Sequence, residues 1–528
     1  GSGVGFVHGA STNYFMPDQM GSGVVLFDYD QDGRLDLYLV QNAPSRAGVE
    51  GCNRLFRQDA EGRFTDVSAG SGAVVAGRGM GAIAGDVNND GLPDLVVTEY
   101  GATRLLRNVG AGRFEEVTAT AGIDNPRWAV PASFMDFDRD GWLDLVVGNY
   151  LDYDPTQACE DVHGRRDFCA PQAFPPTTTR LWRNRTGAAG ASPRFEEWTE
   201  RSGLTRWPGA ALGLVCADFN GDRWPDIFCA DDGRPNRLFI NRGDGTFTEE
   251  AVTRGVALNA MGRTAANMGV AYADADGDGR ADLFVSHLTE EFHSLFRQDV
   301  PGFFTDVVAQ AGLQEQGWRG TGFGTVLSDF DLDGDLDLAL VNGLVRRAVP
   351  GQTPVVAGVS DWWARYAQRA QLFANIGSGR FEDRSVANAG LCGEATVGRS
   401  LAVGDLDQDG MPDLVVGGVG GPVLLYRNVA PREGRWLRVR AVDPGCGGRD
   451  AIGAEVIVRT DTGTWWQVLQ PATSYLASHE PVLHFGLGRT GDLRGIEVRW
   501  PDGSTEEFPP GTAERTAVLR KGEGRLRP

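Results

Sequence analysis

Histidine is scarce, with six in 528 residues, and no His-Glu-x-x-His string occurs, which removes the commonest zinc-hydrolase reading. The nearest string, His287-Leu288-Thr289-Glu290-Glu291-Phe292-His293, runs in the wrong order and reads as a polar loop. The seven cysteines are Cys52, Cys159, Cys169, Cys216, Cys229, Cys392 and Cys446; none forms a Cys-x-x-Cys pair, so zinc-ribbon and thioredoxin chemistry have no basis. A Gly-x-Ser-x-Gly elbow and a phosphate-binding loop are missing too. No apolar run approaches the roughly 18 residues that a membrane-spanning helix needs. Basic residues are in deficit, 50 against 71 acidic for a net charge of −21, which repels phosphate backbones and argues against nucleic acid as a partner. Cations are the expected counter-charge.

Glycine, by contrast, is abundant: 73 Gly and 26 Pro, without a collagen period, fit a turn-dense β protein. One pattern dominates the chain, Asp-x-Asp/Asn-x-Asp-Gly-x-x-Asp, in seven copies whose starts lie 50 to 82 residues apart. That spacing is the size of a four-stranded propeller blade with its loops. A small, Gly-rich apolar stretch precedes each copy, as in Gly21-Ser22-Gly23-Val24-Val25-Leu26-Phe27, and an apolar run follows, as in Leu95-Val96-Val97. A third strand of the Leu-Phe-Arg-Asn kind comes next (Leu105-Leu106-Arg107-Asn108), and a Gly-x-Phe turn opens a fourth (Gly112-Arg113-Phe114). The pattern predicts an all-β fold, a seven-bladed β-propeller over 1–429, with the acidic loop joining first and second strands. Glycine suits the first strand if that strand is innermost, where strands crowd. The seventh copy lacks its own fourth strand, and Gly3-Val4-Gly5-Phe6 is expected to supply it and close the ring.

Carboxylates at loop positions one, three, five and nine with a backbone carbonyl at seven converge hard oxygen donors on one point, which is calcium chemistry. Glycine at six permits the turn. An EF-hand needs Glu at twelve, where the first copy has Leu39, so these are β-loop sites. The expected donors are Asp28, Asp30, Asp32, Arg34 and Asp36; Asp86, Asn88, Asp90, Leu92 and Asp94; Asp136, Asp138, Asp140, Trp142 and Asp144; Asp218, Asn220, Asp222, Trp224 and Asp226; Asp274, Asp276, Asp278, Arg280 and Asp282; Asp329, Asp331, Asp333, Asp335 and Asp337; and Asp405, Asp407, Asp409, Met411 and Asp413. Up to seven structural Ca²⁺ follow. The fourth copy, with Asn220 at three and Arg223 at six, should bind most weakly, and the second, with Asn88, is weaker than the rest.

These loops resemble the FG-GAP/VCBS class of calcium-bound propeller repeats, to which integrin α-chain heads belong. From Asn428 on, Trp436-Leu437-Arg438-Val439, Asp450-Ala451-Ile452-Gly453-Ala454, Ser474-Tyr475-Leu476, Leu483-His484-Phe485-Gly486 and Val498-Arg499-Trp500-Pro501-Asp502-Gly503 resemble the ASPIC/UnbV domain. Together the parts are similar to the cartilage acidic protein family and its bacterial relatives. The resemblance implies a secreted, extracellular or periplasmic calcium-binding protein. Read from its residues alone, 430–528 is a small β domain with strands at Trp436 to Val442 and Glu455 to Arg459 and a hairpin at Pro501-Asp502-Gly503. Its Tyr475, His479 and His484 are expected to be structural, and its default role is to pack on the propeller.

The long insertions, 42–51, 151–179 and 343–369, all fall between second and third strands, on the face opposite the acidic loops. The third carries Trp362, Trp363 and Tyr366, expected on a short helix covering part of that face. Cys159 and Cys169 bracket part of the second insertion and are expected to bridge; Cys216 and Cys229, flanking an acidic loop on neighbouring strands, are a second candidate pair, and either bond would imply an oxidising compartment. Segments entering the first strands carry Arg78, Arg127 and Trp128, Arg206 and Trp207, Arg263, Trp318 and Arg319, and Arg399. Two readings stand side by side: a cationic and aromatic ring that takes a glycan, an extracellular protein or an anionic small molecule, and packing between adjacent blades. The function expected is recognition or adhesion. The alternative is an enzyme of secondary metabolism, a cyclase, lyase or hydrolase on the insertion-bearing face.

Overall fold

The structure is a computed structural model describing residues 2–42, 51–314, 318–347, 356–489 and 492–527. Among these the helical segments are three or four residues long and the rest of the regular structure is β. Seven small antiparallel sheets follow one another along the chain, each with an acidic loop between its first and second strands. The first strands are Val24–Phe27, Gly79–Gly85, Ala129–Met135, Ala211–Ala217, Val270–Ala273, Gly322–Ser328 and Gly398–Gly404. In every sheet the position-nine aspartate opens the second strand and pairs with the last residue of the first, Phe27 with Asp36 and Gly404 with Asp413 for example.

Strand side chains alternate between faces, and here both faces are buried. Val25 and Phe27 pack toward the second sheet with Ala82, Leu95 and Val97, whereas Val24 and Leu26 pack toward the seventh with Ala402 and Val415. Five further clusters of this kind join consecutive sheets from the second to the seventh, and the cluster of Val24 and Leu26 returns the packing order from the seventh sheet to the first. The first strands also touch in sequence, Val24–Phe27 lying against both Gly79–Gly85 and Gly398–Gly404. Glycine permits that approach: a Cβ on Gly269 would sit 1.8 Å from the Phe323 carbonyl oxygen.

The N-terminal segment departs from its expected role. Val7 makes a single antiparallel bridge to Pro422, and Val423 donates to the Phe6 carbonyl at 3.2 Å, so the seventh sheet keeps three strands and is edged by one bridge. Proline at 422 has no N–H to extend the ladder. The Cys159–Cys169 disulfide is present, joining the short paired strands Cys159–Glu160 and Arg166–Asp167. Cys216 and Cys229 are not bridged; both thiols are free and buried. They lie on paired strands but out of register, Cys216 opposite Ile227 and Cys229 opposite Leu214.

Beyond residue 430 two more sheets form around their own apolar cluster. The strands expected at 436 and 455 are Trp436–Asp443 and Glu455–Thr460, and the hairpin joins Leu493–Arg499 to Thr505–Phe508. One segment of this region leaves it and enters the middle of the seven sheets. Ala477–Ser478 pairs in parallel with Val24–Val25, Ser474 exchanges two backbone hydrogen bonds with Val270, and Tyr475 donates to the Met20 carbonyl at 3.2 Å. The inner strands' exposed backbone groups are thereby paired with protein rather than left for water.

Candidate metal loops and the insertion face

Each acidic loop is held by its own carboxylates. In six loops the position-one side chain accepts the N–H groups of positions five and six, as Asp28 does from Asp32 at 3.0 Å and Gly33 at 2.9 Å; in the fourth, Asp218 accepts from Gly221 at four and Arg223 at six, and the Asp222 N–H donates to Asn220. Positions four and six are left-handed in all seven loops, including the non-glycine residues Gln31, Asn89, Arg139, Leu332 and Gln408 at four. In the fourth loop Arg223 takes position six with φ 72°. The position-nine carboxylate clamps the sheet: one Asp36 oxygen accepts from Gln58 at 2.8 Å and the other from Tyr29 at 3.3 Å. Asp94, Asp144, Asp226, Asp282, Asp337 and Asp413 make the same pair of bonds to the third strand and to position two.

Five loops gather three carboxylates whose oxygens lie within 4.8 Å of one another: Asp28, Asp30 and Asp32; Asp136, Asp138 and Asp144; Asp274, Asp276 and Asp282; Asp329, Asp331 and Asp333; and Asp405, Asp407 and Asp413. The second and fourth, with Asn88 and Asn220 at position three, do not. Buried Oδ1 atoms of Asp30, Asn88 and Asp138, all at position three, have no hydrogen-bond partner. An oxygen-only donor set with unpartnered buried oxygens fits a hard cation such as calcium. Without one, burial above all, with the neighbouring carboxylates adding to it, pushes Asp36 and Asp282 up to about 8, and Asp136, Asp274, Asp337 and Asp413 up to about 7.

Two features of the third strand escaped the sequence reading. Its arginine turns onto the loop: Arg57 pairs with Asp30 at 2.7 Å, Arg183 with Asp138 at 2.5 Å, and Arg427 with Asp407. The sixth loop has Ala374 at the equivalent place. Its terminal amide reaches the neighbouring repeat, Asn108 donating to the Tyr29 carbonyl, Asn184 to Val87, Asn241 to Phe137, Asn375 to Ala275 and Asn428 to Phe330. Gln58 of the first sheet donates to Leu406 of the seventh at 2.8 Å. The recurring Asn was visible in the sequence, but not its partner one repeat away.

On the opposite face the arginines and tryptophans go to different places. Arg399 is fully buried over the Phe323 ring and donates to the carbonyls of Gln19, Gly343, Gly398 and Leu344. Trp128 is buried against Tyr100, Tyr150 and Tyr153, and Arg78 pairs with Asp18 over the Phe15 ring. Arg319 lies over Phe292. Arg127, Arg206, Trp207, Arg263 and Trp318 are exposed, Trp207 at 48% and Trp318 at 44%. The interior of this face is an apolar cluster that includes Met80, Trp128, Phe168, Trp363, Tyr366 and Tyr475. The short helix is Asp361–Ala364. For these buried members, packing is the role the contacts describe. His287 and His293 are also interior, His287 held between Asn267 and the Phe292 carbonyl.

Comparison with known proteins bears on the repeats and on the C-terminal region. FG-GAP-like repeats match residues 28–97, 86–147 and 218–285, an FG-GAP repeat matches 397–426, and the ASPIC and UnbV family matches 446–526. Cartilage acidic protein 1 of Xenopus tropicalis is 29% identical over 308 residues, 57% of this chain and 43% of that protein; the Homo sapiens protein is 28% identical over 325 residues, 60% and 45%. The chain thus spans less than half the length of these relatives. A solved Agrocybe aegerita lectin, described as recognising non-reducing terminal N-acetylglucosamine, is 15% identical and covers 78% of this chain and 91% of its own, at a TM-score of 0.37 that carries no functional weight. By its FG-GAP-like repeats and its ASPIC and UnbV segment together, the chain matches the cartilage acidic protein family.

Proposed function

We propose that the seven sheets close into a seven-bladed, integrin α-like propeller over 1–429, capped by a β domain over 430–528, and that the protein is a calcium-held recognition module acting outside the cytoplasm. The observation that carries closure is the seam between first and last repeats, where the Gln58-to-Leu406 bond and a shared apolar cluster repeat what joins other neighbours. Calcium fills the five three-carboxylate loops and, more weakly, those with Asn88 and Asn220; its chemistry there is charge compensation of buried carboxylates, coupled to folding. The Cys159–Cys169 bond supports a secreted or periplasmic location.

The exposed Trp207 and Trp318, with Arg127, Arg206 and Arg263, offer aromatic and cationic contact to a glycan, an extracellular protein or an anionic small molecule. The enzyme reading gains nothing from the insertion acids, which bond locally: Asp152 with Arg127, Asp154 with Thr156, and Asp161 with Arg165. The test is binding of calcium-loaded protein to arrayed glycans and extracellular-matrix proteins, with the Trp207→Ala, Trp318→Ala double variant alongside. Binding lost in the double variant is expected. Equal binding by both proteins, or none by either, removes this face as the recognition surface.

A further inference from the structure

The C-terminal domain sits on the acidic-loop face. Trp465 donates to the Gly334 carbonyl at 2.9 Å, Arg223 to that of Gly503 at 2.7 Å, and Arg449 to the Asn89 side chain at 2.9 Å. Between the domain and the loops of the first, second and seventh sheets lies a cavity of about 400 Å³, within the range of small-molecule sites. Its walls divide by chemistry. Leu26, Ile452, Pro481 and Val518 give an apolar side, and Arg438, Arg440 and Arg449 give a cationic one.

Two of these arginines are incompletely bonded. Arg438 and Arg449 are 6% and 5% exposed, and the Nε of each has no partner. A buried guanidinium N–H without an acceptor is unfavourable, and the remaining nitrogens are held by the walls, Arg438 by Asp405 at 3.1 Å and by Glu480, and Arg449 by Asn89. Arg440 is more open and grips Asp450 with two nitrogens at 2.6 and 3.3 Å, so its fork already faces a carboxylate. The opposing charge comes chiefly from Asp28, Asp86 and Asp405, the position-one carboxylates of three loops. With those loops empty of cation, five acids, Asp28, Asp86, Asp405, Asp450 and Glu480, outnumber the four arginines of the lining, which include Arg34, and an anion gains nothing by entering. With three calcium ions in them, Asp450 and Glu480 alone face the guanidiniums, and the cleft becomes cationic.

We propose that this cleft binds an organic anion with an apolar body, its carboxylate, phosphate or sulfate head on the arginines and its body on the apolar side, and that calcium in the adjoining loops switches binding on. The site is distinct from the Trp207 and Trp318 surface; it rests on the calcium reading above, so the two are measured separately.

Titration calorimetry with hexanoate, hexyl phosphate and hexyl sulfate, each in calcium and in chelator, tests the proposal, with hexyl glucoside as the uncharged probe and inorganic phosphate as the bare head. At least one amphiphilic anion is expected to bind in calcium and to weaken tenfold or more in chelator. Hexyl glucoside and phosphate alone are expected to bind far more weakly. Which anion binds best identifies the head group. Arg440→Gln, at a partly exposed position, is expected to weaken binding roughly tenfold, and Val518→Trp to block the apolar side without altering charge. Calcium titration of the same proteins guards the interpretation: normal calcium uptake with no anion binding overturns the cleft alone, and no calcium uptake overturns both readings. Anion binding that survives Arg440→Gln and Val518→Trp unchanged, or that persists in chelator, overturns the proposal.

Discussion

The two ends of the sheet array face the same crowding of strand ends and meet it with opposite materials. At the insertion end, residues drawn from 16 to 476 close over the inner strands as one apolar cluster, and the arginine at its centre is neutralised by carbonyl dipoles. At the loop end, the same role falls to buried carboxylates, which burial drives toward protonation. The insertion end therefore carries its stability within the sequence. If its loops hold calcium as we propose, the loop end draws part of its stability from the solution, through the concentration of divalent cation and the pH.

The sharpest break in that comparison is removal of calcium. Each occupied loop is expected to contribute roughly 3–4 kcal/mol at cation concentrations well above its Kd, so chelation should lower Tm more than any single substitution. The pH dependence should separate the ends as well. Between pH 7 and 8 the buried imidazoles of His8, His287, His293, His479 and His484, held down at about 3 to 4 by burial and near 6.5 when unfolded, are neutral folded and mostly neutral unfolded, so the small stability they add as pH rises opposes the carboxyls without reversing them. The carboxyls raised to about 7 and 8 are then the groups that change: their folded values lie above the unfolded one, so the stability they lend is present at low pH and lost as pH rises through 7 to 8. Metal-free protein should show a falling Tm across that window and calcium-loaded protein should not. A flat chelated profile would show that the loops do not hold their charge as described.

The matching break at the other end is Trp363→Ala. Trp363 is 2% exposed and packs on Trp362, Phe168 and Tyr366, and its loss is expected to cost about 3–5 kcal/mol. The cost should be the same in calcium and in chelator. A cost that changed with calcium would mean that the two ends are coupled through the segment carrying Tyr475, which spans both.

A smaller effect tests the seam. Gln58→Ala removes the bond to Leu406 and leaves a part-buried carbonyl without it, for about 1 kcal/mol. The outcome bears on what was legible in the sequence. The nine-residue loops, their place between first and second strands and the Gly-rich inner strands were readable because every one of them is a local pattern repeated seven times. The seam was not, since Gln58 and Leu406 are 348 positions apart and nothing near Gln58 names its partner. The arginines illustrate the same limit. Arg263 and Arg399 both precede an acidic loop, one ahead of its first strand and the other inside it, yet one is exposed and the other is enclosed by carbonyls from segments far along the chain. The short Ser474-Tyr475-Leu476 string announced a family but not its destination among the inner strands, because that destination is set by distant partners, Met20, Val24 and Val270 among them.

The last comparison lies within the loop end itself, between the fourth loop and the sixth. The sixth has five aspartates, glycine at position six and no third-strand arginine; the fourth has Asn220, Arg223 and Ile240 at the corresponding places. Arg223 holds φ at 72°, a conformation that costs a residue with a Cβ about 1–2 kcal/mol, and it recovers part of this through its bond to Gly503. Arg223→Gly is therefore expected to raise stability by about 0.5–1 kcal/mol, visible as a small rise in Tm in calcium and in chelator alike, with calcium stoichiometry unchanged. Adding Asn220→Asp supplies a fourth carboxylate, at position three, beside Asp218, Asp222 and Asp226, and calcium titration of the double variant should then tighten at one site. A fall in Tm on Arg223→Gly would mean that docking of the C-terminal hairpin outweighs backbone strain, and would move the fourth loop's role from cation binding to holding that domain in place.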